Sequence, residues 1–141
     1  MEAVWGILPK TIAMAVQQLP SWHGIEEIRI RVSRPLEVIA NGTAHLLPYE
    51  ATKEDGVQLL NKLSHYSIYA VEEELKRGFM TIEGGHRVGL AGKVITESGK
   101  VKAIRDVASF NIRIAKEQVG IATPLIPYVY DGRWRHTMII G

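Results

Sequence analysis

Ile28, Ile30 and Val32 alternate with Glu27, Arg29 and Arg31, a period of two that predicts a strand with one buried and one polar face. Ser33-Arg34-Pro35 reads as a turn and Leu36 to Ala40 as a second strand. Asn41-Gly42 is a strong two-residue hairpin signal, so Thr43 to Leu47 is expected to run back as a third strand. Ahead of the strands, Leu8, Ile12, Ala15 and Leu19 recur at steps of four, three and four. That spacing predicts one helix face, with Pro9 tolerated in the first turn and Pro20 as the stop.

Thr52 and Asp55 form a capping-box pattern with Asp in place of Glu, and Val57, Leu60 and Leu63 place an apolar stripe on the helix behind it. Ser67 is expected to cap a second helix, Ile68 to Arg77, whose last turn carries Lys76 and Arg77 as the helix dipole favours, with Gly78 at C′. Phe79 to Ile82 returns to strand character, Gly84-Gly85 breaks it, and His86 to Thr96 resumes. Beyond the Ser98-Gly99 turn, Val101 to Ile104 pairs back; Phe110, Ile112 and Ile114 then alternate with Asn111 and Arg113. Thr123-Pro124 reads as the start of a short helix that Asp131-Gly132 ends. Helix, strands, two helices, then strands is the order of an α+β fold, an antiparallel meander with helices packed on one face.

Composition narrows the chemistry. A chain of 141 residues, 46% hydrophobic and 23% charged, is ordinary for one globular domain. The net charge of +2 is too small to argue for nucleic acid. Without cysteine there can be no disulfide, Cys-based zinc site or thiol nucleophile. His23, His45, His65, His86 and His136 stand too far apart for metal-ligand spacing, and no metal is expected. No G-x-S-x-G, H-E-x-x-H or complete G-x-x-x-x-G-K-[ST] occurs. Glu72 to Glu74 read as a solvated helix face. The first residues do not read as a signal peptide, and no stretch approaches the ~20 apolar residues that span a bilayer.

Three stretches stand out. Gly84, Gly85, Gly89 and Gly92 fall within nine residues around His86 and Arg87. They fit either a hairpin turn plus a strand packed closely against a helix, or a backbone that approaches a ligand or subunit, presenting Arg87 to an anion. Arg29, Arg31 and Arg34 fit either a polar sheet face or a contact surface for an acidic partner or neighbouring subunit. Thr137 to Gly141 fits either an edge strand or the buried strand before a phosphate-binding loop, with Gly141 at that loop's first glycine.

EIRIRVSRPLEV at Glu27 to Val38, the long stretch His65 to Val94, SFNIRIAKE at Ser109 to Glu117 and the closing TMIIG together resemble the N-terminal part of the stage III sporulation protein AA family. That family is related to the motor ATPases of type II and type IV secretion. The resemblance implies a PAS-like N-terminal domain over residues 1–130, with 131–141 as linker and first strand of a RecA-like ATPase domain. It implies an assembly and regulatory role in a ring, usually a hexamer. The implied partners are the protein's own C-terminal ATPase domain, neighbouring subunits and membrane proteins of a mother cell–forespore channel complex. Nucleic acid is not an expected partner. The implied place is cytoplasmic, on the mother-cell side, peripheral to the membrane through partners. ATP and Mg²⁺ are expected for a full-length protein. The chain itself, lacking the loop's lysine and Ser/Thr, is expected to bind no cofactor and to hydrolyse nothing. Arg87, Arg105 and Arg113, with Gly84, Gly85, His86 and Gly141, are the candidates near nucleotide or interface. Arg29, Arg31 and Arg34 are candidates for a partner surface. The competing expectations are a nucleic-acid-binding module and a purely structural adaptor.

Overall fold

The structure, a computed structural model, describes all residues except 21, 118, 139 and 141, and omits the side chain of Trp22. Its strands are β1 (Ile25–Arg31), β2 (Pro35–Ala40), β3 (Thr43–Glu50), β4 (Phe79–Thr81), β5 (Arg87–Glu97) and β6 (Lys100–Arg113). They form one antiparallel sheet in the order β3-β2-β1-β6-β5-β4. Each half of the chain folds as its own three-stranded meander. The halves join at the centre, where Ile28 faces Ile112 and Ile30 faces Phe110.

Helices α1 (Glu2–Ile7), α2 (Lys10–Gln17), α3 (Lys53–Leu63) and α4 (Glu72–Arg77) accompany the sheet. The core is built from Val4, Leu8, Ile12 and Val16 on the helical side and Ile28, Ile30, Val38, Val88, Phe110 and Ile112 on the sheet. Strand residues of the opposite parity are half-buried or exposed, so the helices seal one face and leave the other open. The expected α+β class is what is found.

Several local expectations change. The single helix through Leu8 is two, because the residue before proline is driven out of the α region: Leu8 sits at φ −65°, ψ 140°. Val16 takes the buried place expected of Ala15. On α3 the buried stripe is Gly56, Leu59 and Leu63, and Val57 is 58% exposed. Gly56 is the reason: a Cβ there would meet Val32 Cγ2 at 3.2 Å, so the helix lies close to the sheet. The capping box forms in full, with Asp55 N–H donating to Thr52 Oγ1 and Thr52 N–H to Asp55 Oδ2. Ile68–Val71 is a 3₁₀ turn leading into α4 rather than continuous helix, and Gly78 ends α4 in the left-handed region at φ 76°. Val101 to Ile104 and Phe110 to Ile112 belong to one long strand, bulged where Asp106 adopts φ 49°. Gly92 faces this bulge, and a Cβ on it would come within 2.5 Å of the Arg105 carbonyl oxygen.

Beyond Arg113 most of the described residues are exposed, with Ile114 still packed against the core. Thr123–Leu125 is a 3₁₀ turn with Ala122, not Thr123, at its N-cap, followed by α5 (Ile126–Val129). Met138 and Ile140 are 83% and 86% exposed and belong to no strand. The expectations for residues 139 and 141 lie outside the described residues.

Candidate functional site

The open face of the sheet gathers most of the charged side chains singled out above. Strand register sets them in rows. Glu27, Arg113, Arg87 and Thr81 stand side by side across β1, β6, β5 and β4. The next row is Glu37, Arg29, Asn111, Gly89 and Phe79. Arg31 lies opposite Ser109 in the row after that.

Within these rows two carboxylates organise the cations. Arg29 donates to Glu37 at 2.7 Å and to Glu27 at 3.0 Å, and Arg31 donates to Glu37 at 3.2 Å. Arg113 Nε lies 3.7 Å from Glu27. Burial alone would raise the Glu27 carboxyl. The hydrogen bond from Arg29 and the charges of Arg29 and Arg113 outweigh it and hold the group below the usual carboxylate range. The lattice is therefore charge-paired around Arg29.

Arg87 is placed differently. It makes no ion pair among the described residues, and it stands directly opposite Arg113, also a cation. Like charges facing across strands destabilise a sheet. Its guanidinium instead lies over the Phe79 ring, 3.9 Å from the centroid. Phe79 pairs with Gly89, whose missing side chain leaves the ring uncovered for its diagonal neighbour. One face of the guanidinium is thus held while its N–H groups remain available.

The glycine-rich turn has a structural purpose. Gly84 and Gly85 both adopt positive φ, at 83° and 74°, which lets the chain reverse between β4 and β5. The reversal turns His86 inward, where the Ala115 N–H donates to its Nδ1 at 2.9 Å. Burial, aided by the Met1 amino group 3.4 Å from Nε2, pushes this imidazole below its usual range. His86 is thereby a strut between the turn and the segment after β6, and Arg87, next in sequence, points to the opposite face.

Of the other candidates, Arg34 lies in the β1–β2 turn and Arg105 beyond the Asp106 bulge, opposite Lys93. Gly141 lies outside the described residues. Glu27, Glu37, Asn111 and Phe79 were not singled out from sequence. Glu27 was legible in the alternation that exposes Arg29; the others need the register of distant strands.

A second polar centre is built around Asp55. Asp55, buried, accepts from Thr11 Oγ1 at 2.8 Å and Tyr49 Oη at 2.7 Å besides its cap bonds. Burial would raise its carboxyl, but the donors on Thr52, Tyr49 and Thr11 hold it low. It ties α2, β3 and α3 together.

Fold and surface define an α+β domain whose polar groups converge on an open sheet face rather than in a closed cleft. Among the described residues no group of acidic or histidine side chains could hold a metal, and no helix is long and apolar enough to cross a membrane. The chain belongs to the family described as "Sporulation stage III, protein AA", which matches residues 2–141. It is 52% identical over 143 residues to "Stage III sporulation protein AA" of Bacillus subtilis (strain 168), covering 100% of this chain and 47% of that protein. The chain thus spans about half the length of the curated relative it matches. Among solved structures, the VirB11 ATPase from the Brucella suis type IV secretion system, in complex with sulphate, aligns over 92% of this chain and 40% of that one. The TM-score is 0.40 and the identity 11%, a likeness too slight to carry an argument.

Proposed function

We propose that this chain is the assembly and regulatory domain of a sporulation motor ATPase, and that its open sheet face docks on a neighbouring unit. The observation that carries the reading is Arg87: exposed, without a carboxylate of its own, opposite another arginine and braced on Phe79. A braced guanidinium suits phosphate or carboxylate oxygens, which it binds as a fork. Family membership supports the sporulation role, and the longer relative leaves room for a second domain. In this reading residues 131–141 lead toward an ATPase domain, the full protein forms a ring, and it works on the mother-cell side with membrane proteins of a channel complex. In this reading ATP and Mg²⁺ are held outside these residues. The sequence has no complete phosphate-binding loop, and no metal-holding cluster occurs among the described residues. Its contribution is confined to positive charge brought toward a phosphate held elsewhere.

Full-length protein carrying Arg87→Ala is expected to assemble normally and lose most ATP hydrolysis, up to about 10³-fold if the arginine acts across an interface. Unchanged hydrolysis in assembled mutant protein overturns the assignment. The stacking on Phe79 also favours a second reading, a structural adaptor in which Arg87 only closes the sheet edge. In that case the melting temperature falls and activity drops only with the amount of folded protein.

A further inference from the structure

The β5–β6 hairpin outgrows its sheet. β4 pairs with β5 only as far as Gly89 and β1 with β6 only from Ser109 onward, so residues 93–105 form a two-stranded ribbon with no third strand on either side. Two strands alone are marginally stable in water. The ribbon also carries an apolar strip. Val94 faces Ile104 and Thr96 faces Val101, at positions that continue the parity of the core residues Val88 and Leu90. Val94 is 51% and Val101 42% exposed. At the base of the ribbon lies a groove of about 500 Å³, lined by Ile68, Tyr69, Leu75 and Ile104 with Glu72 on its rim. Tyr69 is 88% exposed.

Knob and groove are also complementary in charge. Residues 93–106 carry Lys93, Lys100, Lys102 and Arg105 against Glu97 and Asp106. Glu72 lines the groove together with Arg105 and Asp106, and Glu73 and Glu74 follow it in the first turn of α4, where Lys76 pairs with Glu72 and Glu73.

We infer that the ribbon of one chain docks in this groove of a second copy, placing Val101 against Tyr69 and the ribbon lysines against the α4 carboxylates. Contact between two different patches of the same chain is the kind that builds rings or filaments when it repeats head to tail. The inference rests on the assembly reading above but involves none of the open-face arginines, so the two can fail separately.

The chain contains no cysteine, so single cysteines report proximity without background. Val101→Cys and Tyr69→Cys, both at exposed positions, are purified separately, mixed one to one and oxidised. The mixture is expected to form the hetero-disulfide at least about tenfold faster than Val101→Cys mixed with Met14→Cys on α2, because docking raises the effective concentration of the thiols. Lys100→Glu with Lys102→Glu in the Val101→Cys chain is expected to return that rate to background, and Glu72→Lys with Glu73→Lys in the Tyr69→Cys chain to restore it. A rate equal to the Met14→Cys control, or one indifferent to the charge reversals, overturns the inference.

Discussion

On the helix-covered face of the sheet, Ile28, Ile30, Val38, Phe110 and Ile112 need only be apolar and of fitting volume, whereas on the open face Glu27, Arg29, Glu37 and Arg113 depend on which charge stands opposite which. Burial on the first face is non-directional and tolerates exchanges that conserve volume. The second face requires register: a slip of one residue would carry the whole lattice to the wrong side. The covered face therefore sets stability, and the open face sets what the surface presents at little thermodynamic cost.

The sharpest way to break this comparison is to hollow the covered face. Phe110 is fully buried against β1 and the helices, so Phe110→Ala is expected to cost about 3–5 kcal/mol in urea unfolding. A loss near zero would mean the face is not a packed core.

Asp55 is next. Asp55→Ala strands the Thr11 and Tyr49 hydroxyls and removes the α3 cap, for an expected loss of roughly 3 kcal/mol. Its pH signature separates it from a cavity effect. Asp55 and Glu27 both have carboxyls lowered in the folded state, so the stability they contribute is present above the unfolded value of about 4 and is lost as pH falls through the folded values below it. Melting curves of the parent chain should therefore fall at acid pH, and those of Asp55→Asn should fall less. Equal acid sensitivity would remove Asp55 from that role.

Gly92→Ala probes the seam between sheet and ribbon. Its Cβ would press on the Arg105 carbonyl and the Val107 Cα, and a loss of about 1–3 kcal/mol is expected. Amide exchange should accelerate in residues 93–105 more than at the sheet centre. Uniform acceleration would show that the ribbon unfolds only with the whole domain.

Arg31→Ala should do least. It removes one exposed ion pair to Glu37, which Arg29 also holds, so the unfolding midpoint should stay within error. A clear drop would show that the open face stabilises the fold after all.

The two faces also differ in how far the sequence discloses them. Alternation at Ile28–Val32, the Asn41-Gly42 turn, the Thr52–Asp55 box and Gly78 as a C′ residue are local signals, and the structure contains each. The shift of the buried stripe on α3 was not local: it follows from Gly56 settling on Val32, a contact between separate elements. The pairing of β1 with β6 was equally hidden, since periodicity within a strand carries no record of its neighbours. Arg29 and Arg113, read as members of two separate candidate groups, share Glu27 for that reason alone. The remaining role of Asp55 was masked by its cap role, which already accounted for an acidic residue at that position.

The central pairing of β1 with β6 also constrains the order in which the protein can fold. While the chain emerges from the ribosome, β1 to β3 can close their hairpins early, but the inner edge of β1 has no partner until Ser109 to Arg113 arrive. Through that interval Ile28 and Ile30 flank an unpaired strand edge, a template for pairing with any other nascent chain. Contacts this distant in sequence form slowly, since the intervening loop must close first. A chain lacking Ser109 to Arg113 would thus keep a sticky half-sheet, and a chaperone acting on this protein would find its target around β1 to β3 rather than in the long hairpin that completes the fold.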